Sequence, residues 1–298
     1  MFKKCLVSLL VISVGIGLVA CGAPKNTEVS DGKVNVCVTF NALREFAEAV
    51  GGDKVRISTI IPDGIEPHDF EPKAQDLIVL SNADVFVYNG LGLESWKDEA
   101  VSAAANEGLI CVDASSGVQT IAGVGEKEQS QYDPHIWLSL KCAEVEVTNI
   151  KDALSKADPT NKDYYEANCS DYISKLDGLY SKYYEKFSSL EKKNFVTGHA
   201  AFAYLCRDFG LDQKSVEDVF AEGEPSAQQL TELVEFCKNS NVKTIFAEEM
   251  ASPEVSQTLA SEVGANVETI YTIESAEDNK SYLERMQENL SKIYESLI

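Results

Sequence analysis

Residues 161–190 constrain this 298-residue chain more than any other stretch. They follow the helix-breaking Asp158-Pro159-Thr160 and contain no proline and one glycine, Gly178. Tyr165, Cys169, Tyr172, Ile173, Leu176, Leu179, Tyr180, Tyr183 and Phe187 recur at three- and four-residue steps, which places them on one stripe of a helix. A single interior glycine costs only about 1 kcal/mol, so the stretch reads as one unbroken helix rather than two. At 1.5 Å per residue it would be about 42 Å long, enough to run along two lobes.

On either side, strand-like and helix-like runs alternate. Before it, strand-like segments at 34–40, 55–61, 85–88 and 109–112 are separated by helical segments at 42–50, 72–81 and 93–105. After it, strand-like 195–198, 242–248 and 267–273 alternate with helical 200–209, 226–239, 253–263 and 279–297. Such alternation specifies parallel sheets covered by helices. The expected fold is therefore α/β: an N-terminal lobe over 33–158, a rigid linking helix over 159–190 and a C-terminal lobe over 191–298. Between two such lobes lies a cleft, and open α/β sheets bind ligands at the carboxyl ends of their strands.

The N-terminus carries Lys3 and Lys4, an apolar stretch over 5–20, and then Leu18-Val19-Ala20-Cys21-Gly22. This reads as a secretory signal over 1–20, too short and wrongly flanked for a good membrane span. Leu-Val-Ala-Cys resembles the lipobox of bacterial lipoproteins, which implies cleavage before Cys21, acylation of its thiol and tethering on the extracytoplasmic side of the cell membrane. Residues 21–32 are polar and breaker-rich, as suits a flexible tether. Loss of Lys3 and Lys4 with the signal takes the formal charge from −22 to −24. A surface so acidic repels nucleic acid and anionic lipid head groups.

Eight cysteines include no Cys-x-x-Cys pair, which argues against thiolate zinc knuckles and thioredoxin-like chemistry. Cys37 and Cys111 lie in apolar runs and read as small core residues. Outside the cytoplasm a disulfide is permitted, and Cys142 with Cys169, on two successive helices, is the candidate pair.

Three histidines are all the chain has: His68, His135 and His199. His68 and His199 follow strand-like runs, and His135 lies in a loop just before a further helix. Imidazole is a common ligand for zinc and its neighbours, and three histidines in such positions on different segments point to a metal site formed by folding.

The segments around them make the reading specific. Pro-His-Asp-Phe-Glu-Pro at 67–72, Asp-Pro-His-Ile-Trp-Leu at 133–138 and Gly-His-Ala-Ala-Phe at 198–202 resemble the signatures of bacterial metal-binding lipoproteins and periplasmic proteins that feed ABC importers of zinc or manganese. Glu224-Pro225-Ser226-Ala227 and Ser281-Tyr282-Leu283 support the resemblance, which covers the chain from about residue 34. It implies two (β/α) lobes on a rigid helix, a divalent-ion site between them, an ABC permease as partner, and binding rather than catalysis by a monomer. It also implies a fourth donor after a late strand, where Glu274 stands. Glu248 and Glu249, closing an earlier strand, compete for the role, and Glu277 and Asp278 lie a turn further on.

Three imidazoles and one carboxylate suit Zn²⁺, whereas two of each would favour Mn²⁺. With His199 as third donor, zinc is expected, although the histidine-rich loop of many zinc members is absent from 118–132. Manganese or iron capture by the same kind of protein, and a metal-stabilised surface adhesin, are the alternatives. A zinc hydrolase would need an open fourth position, and the chain has no His-Glu-x-x-His helix. Because imidazoles bind metal unprotonated, affinity is expected to fall below about pH 6.5. The rigid helix predicts only a small closing motion.

Overall fold

The computed structural model describes residues 32–123, 132–217, 226–249, 254–276 and 278–298. The signal segment, Cys21, the tether up to residue 31, Glu224-Pro225 and Glu277 lie outside the described residues.

Two four-stranded sheets form, and both are parallel throughout. The first has the order β2-β1-β3-β4, with β1 Val34–Val38, β2 Val55–Thr59, β3 Val85–Tyr88 and β4 Ile110–Asp113. The second repeats that order as β6-β5-β7-β8, with β5 Asn194–Thr197, β6 Asp212–Ser215, β7 Thr244–Glu248 and β8 Asn266–Ile270. Parallel strands need crossovers, here supplied in the first lobe by α1 Asn41–Gly51, α2 Ala74–Ser81 and α3 Lys97–Ala104, and in the second by α6 Ala203–Phe209, α7 Ala227–Asn239 and α8 Glu254–Val263. α4 Leu140–Ala157 and α5 Lys162–Ser188 stand between the sheets in the chain, and α9 Tyr282–Leu297 closes it.

Strands buried on both faces read as apolar runs, and this is why the sequence marked them. Along β1, Val34, Val36 and Val38 face one core while Cys37 faces another, where it meets Phe86, Leu80 and Trp96 under α2 and α3. Val196, Ile245, Leu233 and Leu259 form the corresponding outer layer beneath α7 and α8. The inner core is continuous through both lobes, running from Val36 and Phe46 through Trp137, Leu176 and Phe187 to Phe246, Tyr282 and Leu290.

α5 is a single helix across Gly178, as its spacing predicted. Tyr165, Cys169, Leu176, Leu179, Tyr183 and Phe187 are its buried stripe, and 27 residues make it about 40 Å long. No helix among the described residues is long and apolar enough to cross a membrane.

Two expectations are corrected. β6, Asp-Gln-Lys-Ser, was not expected as a strand: it is an edge strand with exposed and half-buried polar side chains, so it carries no apolar run to reveal it. The Cys142–Cys169 bridge does not form, and both thiols are buried and free. α4 and α5 run antiparallel, so Lys141 at the start of α4 meets Asp177, whereas Cys169 packs near the Val147 carbonyl, a turn or more along. Cys142 Sγ instead accepts a hydrogen bond from Arg207 at 3.2 Å.

Candidate metal centre

The three histidines, distant in sequence, converge between the lobes. His68 sits in a short 3₁₀ turn, Pro67–Asp69, opened by a buried proline whose fixed φ suits a helical start. Phe70 next to it anchors the turn by edge-on contact with Trp96, ring centroids 5.7 Å apart. His135 leads into the turn Ile136–Leu138 ahead of α4. It is wholly buried, and the equally buried Asp133 holds it twice, accepting from the backbone N–H at 2.9 Å and pairing with Nδ1 at 2.8 Å. Tyr204 Oη donates to the Asp133 carbonyl at 2.7 Å, and Asn89 Nδ2 donates to the Pro134 carbonyl at 2.9 Å, so the loop is fixed from both lobes.

His199 follows β5 by two residues. Its backbone N–H donates to Glu248 Oε1 at 3.0 Å, and its carbonyl accepts from Thr197 Oγ1 and Gln213 Nε2. Gly198 makes this possible: a Cβ there would lie 2.0 Å from Glu248 Oε2. The glycine of the Gly-His-Ala motif is thus required by close approach of a carboxylate.

His135 Nε2 lies 3.2 Å from His68 Nε2 and 3.3 Å from His199 Nε2. Nitrogens about 2.0–2.1 Å from a tetrahedral zinc are about 3.3 Å apart, so these spacings match one ion. Asp133 on Nδ1 leaves His135 Nε2 with its lone pair turned toward the other two rings. Glu274 completes the group, and the four donor atoms all lie within 4.8 Å of one another. Glu274 is buried, and its Oε1 has no hydrogen-bond partner. An orphaned buried carboxylate oxygen is costly unless something positive meets it.

The backbone that presents Glu274 is held residue by residue. Asn289 bonds both the N–H and the carbonyl of Tyr271. Glu249 accepts from Thr272 and Ile273 N–H, and Trp137 Nε1 donates to the Thr272 carbonyl. β8 ends at Ile270, earlier than its sequence suggested, and the chain turns at Ile273, whose φ of 61° is left-handed. For a β-branched residue this is a genuine outlier, and such strain gathers at functional sites.

Electrostatics point the same way. Burial pushes Glu274 well above the usual carboxylate range, with Glu66 and Glu249 adding to it. Burial likewise pushes Glu66, Asp133 and Glu248 up to about 7. It drops His135 to about 3, and drops His199 well below the ordinary value with help from the neighbouring rings. Acids raised and imidazoles lowered together describe a desolvated pocket of neutral rings edged by carboxyls that lacks a counter-charge. A divalent cation would supply it.

Sequence reasoning thus named the four residues that converge. Glu248 and Glu249 prove to be supports, one for His199 and one for the Glu274 turn. Asp133 and Glu66 were missed, although Asp133 stands two residues before His135 in the quoted motif. Glu66 Oε1 is 3.9 Å from His68 Nε2.

A two-lobed α/β body with such a donor cluster in its cleft defines a solute-binding protein for a small cation. The family model for zinc-uptake complex component A, periplasmic, matches residues 36–296. The chain belongs to that family, whose members are transport components and not enzymes. It is 46% identical over 273 residues to a protein of Treponema pallidum (strain Nichols), covering 88% of this chain and 86% of that one. It is 37% identical over 316 residues to the high-affinity zinc uptake system protein ZnuA of Bacillus subtilis (strain 168), covering 100% and 99%. Among solved structures, the Zn(II)-bound form of an AdcAII variant of Streptococcus pneumoniae superposes with a TM-score of 0.82 at 35% identity, covering 90% and 99%.

Proposed function

We propose that this protein captures Zn²⁺ outside the cytoplasm with His68, His135, His199 and Glu274 and delivers it to the permease of an ABC importer. The observation that carries the reading is the pair of Nε2 separations, 3.2 and 3.3 Å, beside a buried carboxylate oxygen that no protein group satisfies. Three imidazoles and one carboxylate are a borderline-soft set suited to zinc over manganese. The ion is cargo, so a closed four-donor shell serves the purpose without an open position for water.

In the same reading, residues 1–20 are the leader, Cys21 carries the lipid and 21–32 form the tether. The lobes span 33–158 and 191–298, joined by 159–190, and the protein works as a monomer. The cargo enters the family by name, since the Bacillus subtilis relative is a zinc uptake protein and the AdcAII structure holds Zn(II).

Competition titration of His199→Ala against a zinc chelator tests the assignment. Losing one of four donors is expected to weaken zinc binding by more than about 100-fold, beyond the 10- to 100-fold typical of outer-sphere partners. An unchanged affinity would remove His199 from the ligand set. The same titration with Mn²⁺ is expected to give much weaker binding by the wild-type protein.

A further inference from the structure

The turn that presents Glu274 is fastened across the cleft to the loop that presents His68. Gly64 N–H donates to Ser275 Oγ at 2.8 Å, and Ala276 N–H donates to Asp63 Oδ1 at 3.0 Å, with Ser275 Oγ 3.5 Å from the same oxygen. Asp63 and Gly64 belong to the first lobe, just after β2; Ser275 and Ala276 belong to the second, just after β8. None of these four contacts the cluster as a donor.

Their place relative to Ile273 gives them a task. Upstream of Ile273 the turn is fixed within the folded body by Glu249, Trp137 and Asn289. If Ile273 relaxes from φ 61° to the ordinary right-handed or extended basins, the short segment after it swings, up to the point where α9 is anchored in the core, and Glu274 is the first residue to move. Among the described residues, the first lobe opposes that swing at 274–276 through Asn41 N–H to the Glu274 carbonyl at 3.2 Å, Gly64 to Ser275, and Asp63 to both Ser275 and Ala276. Glu274 Oε1 makes no protein hydrogen bond of its own.

Resting on the zinc-capture reading above, we propose that Asp63 is a positioning residue for Glu274. With Gly64 and Ser275 it forms a latch that holds the strained turn in its ligating geometry and couples the donor loops of the two lobes. Parting of the latch lets Ile273 relax and withdraws Glu274, which leaves three imidazoles and a weakened hold on the ion. Asp63 is exposed, so the latch can be opened from outside without disturbing the core.

Stopped-flow zinc dissociation into excess chelator, with association measured in parallel, tests this on the purified chain. Asp63→Ala is expected to speed dissociation roughly 3- to 10-fold, the effect of one lost hydrogen bond, and to change association less than about 2-fold. Asp63→Asn keeps an acceptor oxygen and is expected to dissociate like wild type. In a Glu274→Ala background, Asp63→Ala is expected to have no further effect, because nothing remains to be positioned. Unchanged dissociation in a folded Asp63→Ala protein, or an equal acceleration with and without Glu274, overturns the latch while leaving the zinc site standing. If Glu274→Ala itself leaves dissociation unchanged, the ligand assignment falls and the latch with it. Thermal melts of each variant identify any that fail to fold, and Ser275→Ala, which removes the Gly64 acceptor from the same latch, is expected to reproduce the Asp63→Ala rate.

Discussion

Gly198 shows how tightly single atoms govern this site. Its Cα lies against Glu248, and an added Cβ would meet Oε2 at 2.0 Å and Oε1 at 3.1 Å. Those oxygens belong to the carboxylate that accepts the His199 N–H, so relief of the clash must move either the acceptor or the histidine. Positioning partners of metal ligands typically matter by 10- to 100-fold in affinity. Gly198→Ala is accordingly expected to weaken zinc binding by roughly that factor while the protein still folds, as read by chelator competition and circular dichroism. Wild-type affinity in that variant would mean that Glu248 does not set the His199 backbone. Asp133 acts on a different atom, holding the His135 Nδ1 edge so that Nε2 is left to face the cleft.

At the scale of elements, α5 repays attention because it was legible throughout. Its stripe of aromatic and aliphatic side chains needs only helical periodicity to be seen, and burial in the common core follows. Gly178 lies on its outer side, with nothing within 4 Å of where a Cβ would stand. Gly178→Ala should therefore stabilise the fold by about 1 kcal/mol, through helix propensity alone, and leave zinc affinity unchanged. Chemical denaturation would measure it, and a destabilised variant would show that the outer face is covered. The buried strands were equally legible, since both their faces are apolar. β6 was not, because Asp-Gln-Lys-Ser has no apolar residue, whereas the other edge strands β2, β4 and β8 keep Val and Ile. The site divides the same way. Three histidines in 298 residues draw notice by rarity and motif, and Glu274 through the family resemblance, which implies a donor after a late strand. Glu66 and Asp133 are two among 48 acidic residues, and only packing of the lobes separates them from a solvated surface; Glu248 and Glu249 were visible at a strand end, but their role as supports was not. Cys142 and Cys169 failed as a pair for a related reason: helix order was readable, but not the axial offset between antiparallel helices.

Across the whole molecule, one core runs through both sheets and along α5, so the lobes share a packed interior instead of pivoting on a linker. Binding in such a body is chiefly electrostatic replacement at a preformed pocket, and that fixes how stability should depend on pH. In the metal-free protein, burial pushes Asp133 and Glu248 to about 7 and raises Glu274 well above the usual carboxylate range, against unfolded values near 4. The folded state therefore keeps protons that the unfolded state has lost. These carboxyls favour folding at low pH, and that contribution disappears as pH rises through about 7. His135 and His199 have the opposite sign: their folded values are depressed, so their contribution is whole above about pH 6.5 and lost as pH falls toward 3. Between pH 6.5 and 8 the unfolded histidines shed their remaining protons, which offsets part of the loss from the acids, and the more numerous acids set the sign. Metal-free protein is expected to lose stability across that window, by somewhat under about 1 kcal/mol in all for each carboxyl held near 7. Zinc reverses the slope, because the ion requires Glu274 ionised and binds tighter as its proton leaves, and ligand stabilisation grows with affinity. Burial thus shifts the proton competition from the imidazoles to the carboxyls, so affinity should already decline between pH 8 and 6.5, above the range that free imidazoles would dictate. Melting curves in chelator and in saturating zinc across pH 6.5–8 should slope in opposite directions. Parallel slopes would show that the buried acids are ionised without the ion, and that some other positive charge already occupies their field.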